Sequence, residues 1–153
     1  MNQHNHCFGF EADFVASLRC LPMAVRRKLD LAGVKLKLSH WHSLSNDERL
    51  RLLEWPDQPD AITALRQWLI PRTAAMADGP AKPLEPALAE SWQQSEQLPE
   101  RLRLSCAQLG CSIPLAAWAE LDELQRFALV KLSHPGHEHR NLPGAIREFG
   151  LGG

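Results

Sequence analysis

Apolar residues in this chain recur mostly at helical spacing. Residues 11–20 carry Phe14, Val15 and Leu18 at helical spacing, and residues 60–70 carry Ile62, Leu65, Trp68 and Leu69 on one face. Arg49, Leu52 and Leu53, and again Arg126, Leu129 and Val130, repeat that spacing in two further segments. Alternation is confined to short stretches. Phe8-Gly9-Phe10 reads as extended chain; Val34, Leu36, Leu38 and Cys111, Ile113, Leu115 read as connectors with one buried face. Punctuation marks the helix ends. Pro22 and Pro99 stand where a helix can begin without sacrificing a needed N–H, and Gly33 and Gly110 stand about ten residues later, where a left-handed stop is required. Ser45-Asn46-Asp47-Glu48 and Asp122-Glu123-Leu124-Gln125 are capping boxes. Pro71 is expected to end or kink the 60–70 helix, and residues 89–97 to hold one short polar helix. Asn141 is expected to cap a last helix with Pro143 in its first turn and Gly150 at its stop.

These signals fall twice. With an offset of 77, residues 21–55 lie on residues 98–132 without a gap. Nine positions are identical, among them Pro22/Pro99, Arg26/Arg103, Gly33/Gly110, Trp41/Trp118 and Arg49/Arg126. Two unrelated segments of this length and average composition would share roughly two. The expected architecture is therefore all-α: one helical domain over residues 8–151, made of two tandem copies of a helix–connector–helix unit (21–55 and 98–132). A Pro-rich linker over 77–88 (Gly79, Pro80, Pro83, Pro86) joins them, and residues 1–7 form a flexible N-terminus.

Composition agrees with this reading. The β-branched residues are few, with four Val, four Ile and two Thr, whereas Leu, Ala, Arg, Glu and Gln dominate. Net charge is −1, without the basic excess of a general nucleic-acid binder. No apolar run approaches the ~20 residues of a membrane span, and the polar start carries no signal-peptide pattern. A cytoplasmic protein with reduced thiols is expected.

Candidate chemistry is sparse. Cys106 and Cys111 replace Leu29 and Val34 of the first copy, so both are expected as buried core thiols that bind no metal. Cys20 is likewise expected to be buried, and His4, His6 and Cys7 lie in the N-terminal tail. Arg26, Arg27, Lys28, Lys35 and Lys37 make the first copy locally basic, read as a solvated helix face. The densest polar cluster is His134-Pro135-Gly136-His137-Glu138-His139-Arg140-Asn141, beginning where the second copy diverges from the first. Its spacing is not that of a helical zinc-hydrolase motif, and Pro135 and Gly136 make it a turn. No Walker loop, dinucleotide fingerprint or nucleophile elbow is present, so the expectation is a protein without catalytic residues and without a cofactor of its own.

Two stretches resemble the nitrate reductase-associated protein family. The first is Phe10-Glu11-Ala12-Asp13-Phe14 with Leu18-Arg19-Cys20-Leu21-Pro22-Met23, Val25-Arg26 and Lys28-Leu29-Asp30. The second runs from Leu124 through Ser133 into His134-Pro135-Gly136-His137-Glu138 and Arg140-Asn141. The resemblance spans residues 8–151 and implies an accessory role for an assimilatory, molybdenum-containing nitrate reductase. It implies nitrate reductase, or its precursor, as the partner. The residues expected to meet that partner are His134, Pro135, Gly136, His137, Glu138, Arg140 and Asn141, with Arg19 and Arg26. Two alternatives stay open at this point: a metal-binding protein using His134, His137 and His139, and a helix–turn–helix regulator that binds nucleic acid.

Overall fold

The computed structural model of the protein describes residues 4–12, 18–134 and 140–151. Among these it contains eight α-helices and one two-stranded sheet. The chain divides into two compact units, Met1–Cys7 with Glu11–Leu88, and Phe8–Phe10 with Ala89–Gly153.

In the first unit, α1 (Met23–Ala32) starts behind Pro22, whose carbonyl accepts from Val25 and Arg26. The Met23 N–H donates to the buried carboxylate of Glu11 at 3.0 Å, which satisfies one of the donors a helix start leaves open. Gly33 ends the helix at φ 73°. Strand β1 (Val34–Lys35) follows, then α2 (Leu38–Ser43), α3 (Asn46–Glu54) and α4 (Pro59–Thr73). Helix α1 packs on α3 and α4 over a core of Val25, Leu29, Trp41, Leu52, Leu65 and Leu69. The Trp41 indole donates to the carbonyl of Leu18 at 2.8 Å; Leu18 itself holds a left-handed backbone at φ 57°.

The Pro-rich stretch is stitched to this unit. Strand β2 (Lys82–Pro83) pairs antiparallel with β1. Leu84 N–H donates to Gly33, Ala87 N–H to Asp30, and the Arg66 guanidinium to the carbonyls of Ala32, Gly33 and Leu84. Pro71 does not itself stop α4, one of the two outcomes expected of it; it lies in the last turn, and the helix ends two residues later at Thr73. Thr73 steadies that turn by donating to Leu69 or Ile70 and accepting from Ala81. Leu38, expected on the buried face of the connector, instead opens α2 and is 48% exposed.

The second unit holds a 3-10 turn at Ser91–Gln93, in place of the short polar helix expected over 89–97. Then come α5 (Glu100–Gln108), α6 (Leu115–Glu120), α7 (Glu123–Leu132) and α8 (Leu142–Glu148). Its core gathers Trp92, Leu102, Trp118, Phe127, Leu132 and Leu142 around α7, with Trp92 and Phe127 edge to face at 5.0 Å. Leu115, like Leu38, is exposed. Phe8-Gly9-Phe10 is not extended. The Glu148 carboxylate accepts from both Gly9 and Phe10 at 3.0 Å, which curls the segment into a 3-10 turn and stacks Phe8 and Phe10 beside Phe149. Asn141 precedes α8 without a side-chain cap, because its backbone (φ −88°, ψ −6°) is already helical and a capping side chain needs an extended one.

Three helix starts recur at the offset of 77. Helix α2 maps end to end onto α6, and the starts of α1 and α3 map onto those of α5 and α7. Ser45 and Asp122 each head a complete capping box, Trp41 and Trp118 are both fully buried, and Gly110 holds φ 75° against 73° at Gly33. The paired arginines tie down the preceding chain. Arg49 donates to the carbonyls of Trp41 and His42, and Arg126 to those of Trp92 and Leu121.

Candidate functional surface

The cluster singled out in the sequence is described only at its ends. His134 and Arg140 are exposed and Asn141 is half-buried, while Pro135, Gly136, His137, Glu138 and His139 lie outside the described residues. So do two of the three histidines of the metal alternative. Among the described residues no group of three or more His, Cys, Asp or Glu side chains converges as a metal site. Arg19 and Arg26 belong to the first unit, Arg19 exposed and Arg26 half-buried.

The basic face of α1 is not a solvated one, because two of its cations turn inward. Arg27 is buried and pairs with Asp57 at 3.1 Å. Lys28 is fully buried, and its ammonium donates to the carbonyls of Leu52 and Leu53 at the end of α3. Those carbonyls have no further turn of helix to bond, and a cation there also meets the negative end of the helix dipole. Burial nonetheless pulls the Lys28 ammonium down to about 8.

Reading the sequence missed one surface of the first unit. Arg51, near the end of α3, is exposed, and its guanidinium lies 5.1 Å from the ring centre of Trp55 and 5.0 Å from that of Trp68. The two indoles are half-buried, 5.8 Å apart and tilted by 32°. Trp55 is fixed further by its N–H, which donates to the Ala61 carbonyl at 2.7 Å. Two rings therefore hold one guanidinium by cation–π attraction, and among the described residues no carboxylate pairs with it. Leu50, 43% exposed, neighbours Arg51 in the chain. The Arg51/Trp55 spacing of four was a visible signal; that Trp68 would join them depends on how α3 and α4 pack.

A shallow hollow in the second unit, lined in part by Ser91, Gln94, Gln97 and Pro99, offers one carboxylate, Glu100, which already pairs with Arg103. None of the described helices is long and apolar enough to cross a membrane. Comparison with curated proteins and with solved structures returned no match. Comparison with family models did, over nearly the whole chain: residues 7–149 match the model described as conserved nitrate reductase-associated protein, and the chain belongs to that family.

Proposed function

We propose that this protein is a non-catalytic accessory that binds nitrate reductase, or its precursor, and supports the enzyme's maturation or activity. The observation that carries the reading is the family match over residues 7–149. The Trp55–Arg51–Trp68 surface supports a role in binding. Tryptophan and arginine dominate the energetics of protein interfaces. A guanidinium already held against two adjacent rings loses little freedom when a carboxylate of the partner arrives. The segment from His134 to Asn141 is proposed as a second contact.

The test is retention of nitrate reductase on the immobilised protein, with the enzyme supplied both with and without its molybdenum cofactor. The wild-type chain should retain at least one form. Arg51→Ala combined with Trp68→Ala should lose retention while keeping its helical circular dichroism, and His137→Ala with Glu138→Ala should weaken it without lowering Tm. Wild-type protein that retains neither form would overturn the proposal.

A further inference from the structure

Helix α5 ends in a Schellman turn. Gly110, at φ 75°, donates to Ala107 at 3.1 Å, and Cys111 donates to Cys106 at 3.0 Å. That pattern brings the side chains five positions apart on either side of the glycine together, and here both are thiols. With standard backbone dimensions, the Cys111–Cys106 hydrogen bond keeps the two Cα atoms within roughly 7 Å, the limit at which a disulfide can close without backbone movement. In the first unit the matching positions hold Leu29 and Val34, both buried. Aliphatic side chains therefore serve the packing there, and the second unit departs from them at both places together.

We propose that Cys106 and Cys111 are a redox-active dithiol, a modification site that closes to an intramolecular disulfide under a mild two-electron oxidant such as a peroxide or a low-mass disulfide. The two thiols differ in access, which sets the order of events. Cys111 is half-buried and reachable; Cys106 is 1% exposed. Burial, followed by the neighbouring thiol, pushes Cys106 up to about 12, so it stays protonated and does not start the reaction. The Cys111 thiolate attacks a peroxide oxygen, breaks the O–O bond and becomes a sulfenic acid as the first water leaves. The Cys106 sulfur then attacks the Cys111 sulfur, passing its proton to the departing hydroxyl, which leaves as the second water. Two thiols have lost two electrons and two protons, and the peroxide has become two waters. With a low-mass disulfide as oxidant, Cys111 first forms the mixed disulfide and Cys106 displaces the second small thiol.

The experiment uses the full chain, exposed to hydrogen peroxide or oxidised glutathione, alkylated and cut with trypsin. Residues 104–126 form one tryptic peptide that contains both cysteines and no internal Lys or Arg. This peptide should lose two hydrogens, escape alkylation and recover both thiols on treatment with dithiothreitol, with Cys7 and Cys20 outside the bridge. Cys106→Ser should leave Cys111 as a trappable sulfenic acid or a glutathione adduct. Cys111→Ser should leave Cys106 unmodified. A wild-type peptide carrying two separate adducts, one carrying an over-oxidised Cys111 without a bridge, or one that reacts only after denaturation would overturn the proposal. The wild-type mapping decides the matter even if a variant fails to fold.

Discussion

Alanine at Gly33 and alanine at Gly110 impose the same backbone demand in different surroundings. Both glycines are left-handed, at φ 73° and 75°. An L-residue there costs about 1–2 kcal/mol, and the stiffer unfolded chain returns about 0.4–1 kcal/mol. A Cβ at Gly110 meets nothing within 4 Å, so Gly110→Ala should cost about 1 kcal/mol in total. At Gly33 the added Cβ would stand 2.4 Å from the Leu84 carbonyl oxygen, 2.8 Å from the Arg66 guanidinium and 3.0 Å from the Pro86 nitrogen. Two of these are backbone, so the 84–86 segment must move. The bonds at risk are Leu84 N–H to Gly33 and those from Arg66 to Ala32, Gly33 and Leu84. If two or three of these four bonds are lost, at about 1 kcal/mol net each on top of the backbone cost, Gly33→Ala should cost about 3–4 kcal/mol. Urea unfolding followed by circular dichroism gives both values, and in a scan Tm should fall about 10 °C for Gly33→Ala against a few degrees for Gly110→Ala. Equal losses at the two sites would refute the reasoning, because they would mean that the Pro-rich segment does not press on the end of α1.

Three further outcomes are expected. Lys28 titrates near 8 in the folded chain and near 10.5 when free, so the unfolded state holds more protons between those values and stability should rise with pH through that window. Between pH 7 and 9 the gain should be about 1 kcal/mol in wild type and absent in Lys28→Met; the comparison with the variant removes the Cys106 thiol, which acts in the opposite direction above pH 9. The hydrogen bonds from Arg72, foremost among the causes, hold the Glu48 carboxyl down at about 2, so the stability it adds should be lost as pH falls from 4.5 through 2, and Glu48→Gln should flatten that limb. We propose that residues 21–55 and 98–132 descend from one unit: the two segments should then superpose with Trp41 on Trp118, and Trp→Ala at either site should cost about 3–5 kcal/mol, whereas a variant that loses less than 1 kcal/mol at one site alone would contradict equivalent roles.

What the sequence revealed was mostly local. Pro22, Pro99, Ser45, Asp122, Gly33 and Gly110 act on backbone within one turn of themselves, and each stands where its chemistry placed it. What it did not reveal depends on distant partners. The turn at Phe8-Gly9-Phe10 is set by Glu148, more than a hundred residues away in sequence. Lys28 looked like a surface cation because the carbonyls that accept its hydrogen bonds lie on α3, 24 and 25 positions on. Arg51 looked like any exposed arginine until α4 brought Trp68 beside Trp55 against it. Asn141 shows the converse: a good capping residue does not cap when its own backbone is already helical.

The central claim is that this protein binds nitrate reductase. An equilibrium titration of the purified enzyme, in its cofactor-free and cofactor-loaded forms, with the purified full chain tests it most directly. Saturable binding to at least one form, weakened about tenfold or more by Arg51→Ala, is the predicted result; no binding to either form by a wild-type chain with intact helical structure would contradict it.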